Sequence, residues 1–347
     1  MATKEKKKKG NSKNSKWIKL AIGVLLFLLV VKGLVLESVV VTDRKMEKTL
    51  FPGDLLIVNK LSYGARLPIT LLSVPFFPNY YLEWVTLPVS RLPGFSKPEP
   101  NDLVAFNYPG QLDPPIDKKK IMIKRLVAQP GDSVLIRDKK LFINGIPFNG
   151  PATLQYNYRL TASQKKIDQG FLDLYDIHEG GMVSEHGLYD FPMTRNVAEE
   201  IAQDTDIKNL RVLKDFPGEN VKYVFPVGYF HHFNKDFFGP LVVPYPGMQV
   251  YLDTHSIELY AEIIDFYEGN DLQVKDYKIF INGTETTNYT IKNDYYFVMD
   301  DNRDNAKDSR YWGFLPEDYI LGKAVMVGFS WDNIKREVRW NRIFNTF

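Results

Sequence analysis

From Trp17 to Val41 the chain is almost continuously apolar, interrupted by Lys19, Lys32 and Glu37 and by small residues at Gly23, Gly33 and Ser38. This exceeds the roughly 20 residues that a spanning helix needs, and the charged side chains at its ends can reach toward the interfaces. The pattern predicts a transmembrane helix over 17–37. Ahead of it, residues 1–16 form a polar tail rich in lysine (Lys4, Lys6, Lys7, Lys8, Lys9, Lys13 and Lys16). By the positive-inside rule this tail lies in the cytoplasm and everything after the helix lies outside. A cleaved secretory signal has a similar order of charged and apolar regions, but no small-x-small cleavage pattern follows here. Instead, Ser38-Val39-Val40-Val41 reads directly into a strand.

Beyond residue 41 the pattern changes to short β-branched and aromatic runs punctuated by Gly, Pro and Asn, the signature of a mainly β domain. Strands are expected at Leu55–Val58, Leu103–Phe106, Met122–Val127, Ser133–Ile136, Leu141–Ile143, Lys278–Ile281, Tyr295–Met299 and Ala324–Phe329. Helices are few. The clearer ones run over about 197–202 and 257–267, where Ile257, Tyr260, Ala261 and Ile264 make one apolar face and Gly269 can end the helix.

Phe-Ile-Asn-Gly occurs twice, at 142–145 and 280–283. Each copy signals a tight hairpin, because a two-residue turn needs positive φ at its central positions. The stretch between them, 150–275, reads as an inserted, mixed second domain. Residues 68–98 are rich in proline and aromatics, including Pro75-Phe76-Phe77-Pro78, Tyr80-Tyr81-Leu82, Trp84 and Phe95. Close to a spanning helix such side chains gain by dipping into the lipid interface, and they equally suit a domain core.

Composition narrows the function classes. The net charge of +2 and the 44% hydrophobic content describe a folded protein without the basic excess of a nucleic-acid binder. The absence of cysteine removes disulfides and thiolate metal sites. The five histidines, with His231 and His232 adjacent, show no metal-ligand spacing, so neither a metal nor another cofactor is expected.

Four boxes carry chemistry. The first is Lys45-Met46-Glu47-Lys48-Thr49-Leu50, followed by Pro52-Gly53-Asp54 and Ile57-Val58-Asn59-Lys60. The second is Asn101-Asp102-Leu103-Val104-Ala105-Phe106. The third is Lys124-Arg125-Leu126-Val127-Ala128-Gln129-Pro130-Gly131-Asp132. The fourth runs from Asp300-Asp301-Asn302-Arg303-Asp304-Asn305-Ala306-Lys307-Asp308 through Ser309-Arg310-Tyr311-Trp312-Gly313. In this order, behind one membrane helix, and with Trp340-Asn341-Arg342 near the end, they resemble the type I signal peptidases. Those are bacterial membrane-anchored Ser/Lys endopeptidases that cut signal peptides from exported proteins. The resemblance covers about residues 17–145 and 276–347. It implies a signal-peptidase-like β core formed by 38–149 and 276–347, a variable second domain at 150–275, and a place in the bacterial inner membrane with the main domain on the periplasmic side.

The resemblance also assigns roles. Lys124 stands at the general-base position, where Met122, Ile123, Leu126 and Val127 can withdraw it from water and favour the un-ionised amine that base catalysis needs. Arg125 with Asp301, and Asp308 with Arg310, are implied as bracing ion pairs, with Arg303 in the same supporting set. Met46 and Thr49 belong to the substrate groove and its loop. Three positions depart from the family pattern: Lys45 replaces the serine nucleophile, Ala306 replaces a hydroxyl that bonds the general base, and Asp300 replaces a glycine beside that base. Thr42 and Thr49 each lie three residues from position 45, an odd offset that in extended chain points to the opposite face. Asp300 is expected to pair with Lys45 or Lys124.

Three substitutions in one cleft suggest a homologue in which hydrolysis has lapsed. Such a protein would bind signal peptides, pre-proteins or an export partner such as a translocon or an active signal peptidase. The alternatives are an active signal peptidase using another nucleophile, and a structural assembly protein of the envelope.

Overall fold

The computed structural model describes residues 11–73, 80–111, 113–163 and 167–347. Lys4 to Lys9 and the Pro75–Pro78 run lie outside the described residues. A helix over Asn11–Val30 continues as a wider turn over Val31–Val35 and passes straight into a strand at Leu36–Val40. Ser15–Val35 is long and apolar enough to cross a membrane, and none of it is buried against the rest of the chain. Leu36 and Glu37, expected in the helix, are therefore the first residues of the sheet. The wide final turn is anchored from the sheet side: the buried Lys60 amine donates to the carbonyls of Lys32 (2.7 Å) and Gly33 (3.2 Å) and pairs with Glu37 at 2.8 Å.

The protein is mainly β. Its central sheet is antiparallel, in the order Leu36–Val40, Asp54–Asn59, Ile320–Asp332, Leu103–Asn107, Ile121–Ala128, Tyr295–Met299 and Leu315–Pro316, with Glu337–Val338 beside the far end of the long strand. Each strand proposed between 55 and 329 falls inside an observed one, and the run from Ser38 ends one residue early, at Val40. Both Asn-Gly hairpins form, with Asn144, Gly145, Asn282 and Gly283 all at positive φ. Gly53, between the first box and its strand, sits at φ +93, and a Cβ there would lie 2.0 Å from the Trp331 carbonyl oxygen.

The 150–275 stretch does not behave as one unit. Residues 155–212 build a separate four-stranded sheet with its own core of Leu160, Ile177, Phe191, Met193 and Ile201. Beyond it, Phe237–Val242 joins the Ser133–Arg137 hairpin, and Val243, Val250, Ile263 and Ile264 pack in one cluster with Val127 and Phe297. The second half of the insertion thus completes the core behind the Lys124 strand. The proposed helices appear at Arg195–Ile201 and at Ile257–Glu262, the latter continuing as a wide turn to Tyr267.

Thr70–Ser73 and Tyr81–Thr86 pair as the two antiparallel arms of a hairpin. Its apolar side chains face outward: Trp84 is 84% exposed, and Leu71, Leu72 and Leu82 are also exposed. Of the two uses considered for this segment, burial in the core is not the one adopted.

Candidate active-site cleft

The sheet curls so that the outer edge of its first strand faces the start of the Lys124 strand. Val39, Val41, Ile121 and Ile123 pack over one small core, and a narrow cleft of about 50 Å³ lies between the two segments. Lys124 is 1% exposed at its floor. The antiparallel ladder pairs Leu126 with Val298 and Arg125 with Met299, so the next step in register sets Asp300 opposite Lys124. The Lys124 amine donates to Asp300 Oδ1 at 2.5 Å, and the other Asp300 oxygen accepts the Lys307 backbone N–H at 2.8 Å. Burial pushes the Asp300 carboxyl up to about 6, against the pull of the Lys124 charge and with the Asp308 charge adding to the rise.

Lys45 does not reach this floor. Its amine turns to Asp43 Oδ2 at 3.2 Å, and its backbone N–H meets Asp43 Oδ1 at 3.2 Å. Burial raises the Asp43 carboxyl, but the Lys45 charge and hydrogen bonds, with a smaller contribution from Lys124, outweigh it and hold the group below its ordinary value. Sequence reasoning missed Asp43, although its i, i+2 spacing to Lys45 was a readable signal. Of the two amines open to Asp300, the structure pairs it with Lys124.

The loop itself is pinned. The Lys45 carbonyl accepts the Asn302 N–H at 2.8 Å, and the buried Met46 sulfur accepts the Asp301 N–H at 3.2 Å. Met46 lines the cleft. Thr49 does not: its hydroxyl donates to Asp301 Oδ2 at 2.6 Å and meets Thr153 at 2.7 Å. Thr42, expected to face away, does line the cleft. The alternation rule fails because the chain leaves the extended conformation at 43 and enters a turn over 45–49. Among the described residues no Ser or Thr hydroxyl is hydrogen-bonded to the Lys124 amine.

The supporting residues are buried and paired. Arg125 forks onto Asp301 with Nε–Oδ1 at 2.8 Å and Nη2–Oδ2 at 2.6 Å. Asp308 accepts from Arg310 Nε and Nη2 and from the Asp300 N–H, and caps the short helix Ser309–Trp312. Burial works against the ionised Asp308, but the Arg310 charge and hydrogen bonds prevail and hold it below its usual range. Arg303 is buried without a carboxylate partner among the described residues, its Nη1 resting 3.1 Å from the Met299 sulfur. Ala306 carries no hydroxyl and directly precedes Lys307, whose backbone N–H bonds Asp300.

A second contact was not legible at all. Buried Glu47 joins Arg44 (2.6 Å) to His178 Nδ1 (2.9 Å), His178 Nε2 reaches Asp176 at 3.2 Å, and Lys48 bonds both the carbonyl and the carboxylate of Asp176. The 44–48 loop is thereby docked on the inserted sheet region across more than a hundred residues of sequence. No group of three or more His, Cys, Asp and Glu is arranged to hold a metal among the described residues.

The family model for signal peptidase, peptidase S26, matches residues 14–197 and 242–329. The signal peptidase I of Helicobacter pylori (strain ATCC 700392 / 26695) is 24% identical over 347 residues, covering 94% of this chain and 90% of that protein. The signal peptidase I of Buchnera aphidicola subsp. Acyrthosiphon pisum is 23% identical, covering 92% and 78%. The signal peptidase I of Pseudomonas aeruginosa is 24% identical, covering 90% and 71%. With the matched segments spanning both halves of the central sheet and the Lys124 and Asp300 segments of the cleft, the chain belongs to the signal peptidase, peptidase S26, family.

Proposed function

We propose that this chain is a membrane-anchored signal peptidase homologue that binds signal peptides or exported pre-proteins without cleaving them. One observation carries the reading: the Lys124 amine is held by the Asp300 carboxylate 2.5 Å away, while position 45 offers an amine turned toward Asp43. A Ser/Lys mechanism needs a hydroxyl at the first position and a free amine at the second, so that the proton leaves as oxygen attacks the scissile carbonyl. Attack by the Lys45 amine would form an amide, which water does not release as it does an ester.

Binding does not need that chemistry. The outer edge of Leu36–Val40 carries no ladder partner among the described residues, and it borders the cleft. An extended peptide can add there by backbone hydrogen bonds, with the small cleft admitting only short side chains. The Lys-rich tail favours a cytoplasmic N-terminus and a periplasmic β domain in the bacterial inner membrane. The outward apolar hairpin rests on that membrane, and a translocon or an active signal peptidase is a fitting neighbour.

The test compares the parent chain with a Lys45→Ser, Ala306→Ser, Asp300→Gly triple variant on a pre-protein carrying an Ala-x-Ala site. Binding without cleavage by the parent, and cleavage by the triple variant that Lys124→Ala abolishes, is the expected result. Cleavage by the parent that Lys124→Ala removes overturns the proposal.

A further inference from the structure

A second cavity, of about 510 Å³, opens where the helix meets the sheet. That size is within the roughly 300–1,000 Å³ of small-molecule sites. Its charged lining is Lys32, Lys60, Arg66 and Lys118 against Glu37 and Asp117. Lys60 is matched by Glu37 at 2.8 Å and Lys118 by Asp117 at 3.3 Å. Arg66 is different. It is 7% exposed, and its guanidinium bonds neutral groups, the Asp318 carbonyl at 2.8 Å and Asn107 Oδ1 at 2.6 Å, with no carboxylate in ion-pair distance among the described residues. Burial, with the Arg91 charge adding to it, pulls the group down to about 10 against the opposing pull of the Asp117 and Asp318 charges, so a closer anion beside it would be favoured.

The surroundings say where that anion comes from. Leu29 and Gly33 of the apolar helix form one wall, and Thr70 and Ser73 of the outward apolar hairpin form another. Both walls belong to elements that seek lipid, so the mouth between them opens at the level of the headgroups. Leu67, Ile121 and Leu321 add an apolar lining suited to the glycerol and the first acyl carbons. We propose that this cavity binds the phosphate headgroup of an anionic glycerophospholipid, with Arg66 as the central contact and Lys118 and Lys32 around it. The site adjoins the Lys124 cleft, sharing Ile121 in its wall, but uses none of the charged groups at the cleft floor and holds whether or not that cleft cleaves peptides.

The test uses the full chain in detergent, with native mass spectrometry against phosphatidylglycerol, diacylglycerol and free glycerol 3-phosphate. The expected result is retention of phosphatidylglycerol over diacylglycerol, weakened about fivefold by Arg66→Gln, the effect of one basic contact. Because Arg66 is buried and its loss can disturb folding, Ser73→Glu serves as the second variant. It brings a carboxylate to the rim from an already polar position and should weaken retention by a similar factor. Equal retention of the two lipids, or retention unchanged in Ser73→Glu, overturns the proposal. Saturation by glycerol 3-phosphate alone assigns the cavity to a soluble phosphate ester and overturns the lipid source. Flotation of the same proteins with neutral phosphatidylcholine vesicles reports helix insertion alone. Flotation lost in the parent chain removes the membrane placement on which the site depends, whatever the mass spectra show.

Discussion

Lys124 and Asp300 face one another across adjacent antiparallel strands, their charged atoms 2.5 Å apart and both side chains closed off from solvent. Each is the other's partner in a place where neither charge is tolerated alone. Lys124→Met should cost about 3 kcal/mol at neutral pH, because it leaves a buried carboxylate without compensation. The Asp300 carboxyl titrates above its ordinary 3.8, near 6. Folding therefore raises its proton affinity relative to the unfolded chain, and this contribution to stability is complete below the unfolded value and lost as pH rises through about 6, above which the group is the carboxylate that pairs with Lys124. The Lys124→Met penalty should accordingly be small at pH 4 and grow toward neutrality, and Lys124→Met with Asp300→Leu should recover most of it. Denaturant titrations of parent and variants at the two pH values measure this.

Lys45→Ser alone should not yield a peptidase. The new hydroxyl would find the Lys124 amine already engaged by Asp300, and Ala306 gives no hydroxyl to orient it. Turnover of an Ala-x-Ala pre-protein should stay at background in the single variant and rise at least about a hundredfold above it in the triple variant, the scale of a general-base contribution. A gel-based cleavage assay with Lys124→Ala as the blank decides the matter.

Thr49→Val should destabilise the fold by about 2 kcal/mol, the worth of a hydrogen bond to a charged group, while leaving peptide affinity unchanged. The reason is its bond to the Asp301 carboxylate that Arg125 also holds. A fall in peptide affinity with stability intact would return Thr49 to the groove.

Glu47→Ala should release the 44–48 loop from the inserted sheet region by removing the acceptor that Arg44 and His178 share. Limited trypsin digestion should then cut after Lys45 or Lys48 several times faster than in the parent, because local opening exposes the backbone. His178→Ala should have the same effect in weaker form.

Trp84 should sit within reach of acyl chains. In vesicles containing brominated lipid, tryptophan quenching by the parent should fall in Trp84→Phe, since this ring is 84% exposed on the outward hairpin. Quenching unchanged by the substitution would take the hairpin off the bilayer.

The central-sheet strands at 54–59, 103–107, 121–128, 295–299 and 320–332 were legible as short β-branched or aromatic runs, and the two Asn-Gly turns wrote their own geometry, whereas the two-residue strands Leu315–Pro316 and Glu337–Val338 left no such pattern. The Asp300 pairing was legible too, as an acid introduced beside a retained lysine. Four features were not. The Asp43–Lys45 pair depends on the bend at 43 that turns the Lys45 amine back along the chain. Thr42 was misplaced because an alternation argument holds only while the chain stays extended. The docking of Glu47 on His178 spans 131 residues, and no local pattern records a contact of that kind. For the same reason the split role of 150–275 was hidden: Phe238 and Val250 read as ordinary apolar residues until the fold placed them behind the Lys124 strand.

No spacer residue separates the last helical turn at Val35 from the strand at Leu36, and Lys60 clamps the junction from the side. The sheet therefore cannot swivel on its anchor. Val39 and Val40 stand four and five residues beyond that junction, so this edge of the cleft lies about 13 to 17 Å along the strand from it at strand rise. On the proposed function, a polypeptide leaving the bilayer must stretch to that level to be bound, and tilt of the anchor is passed on to the binding edge.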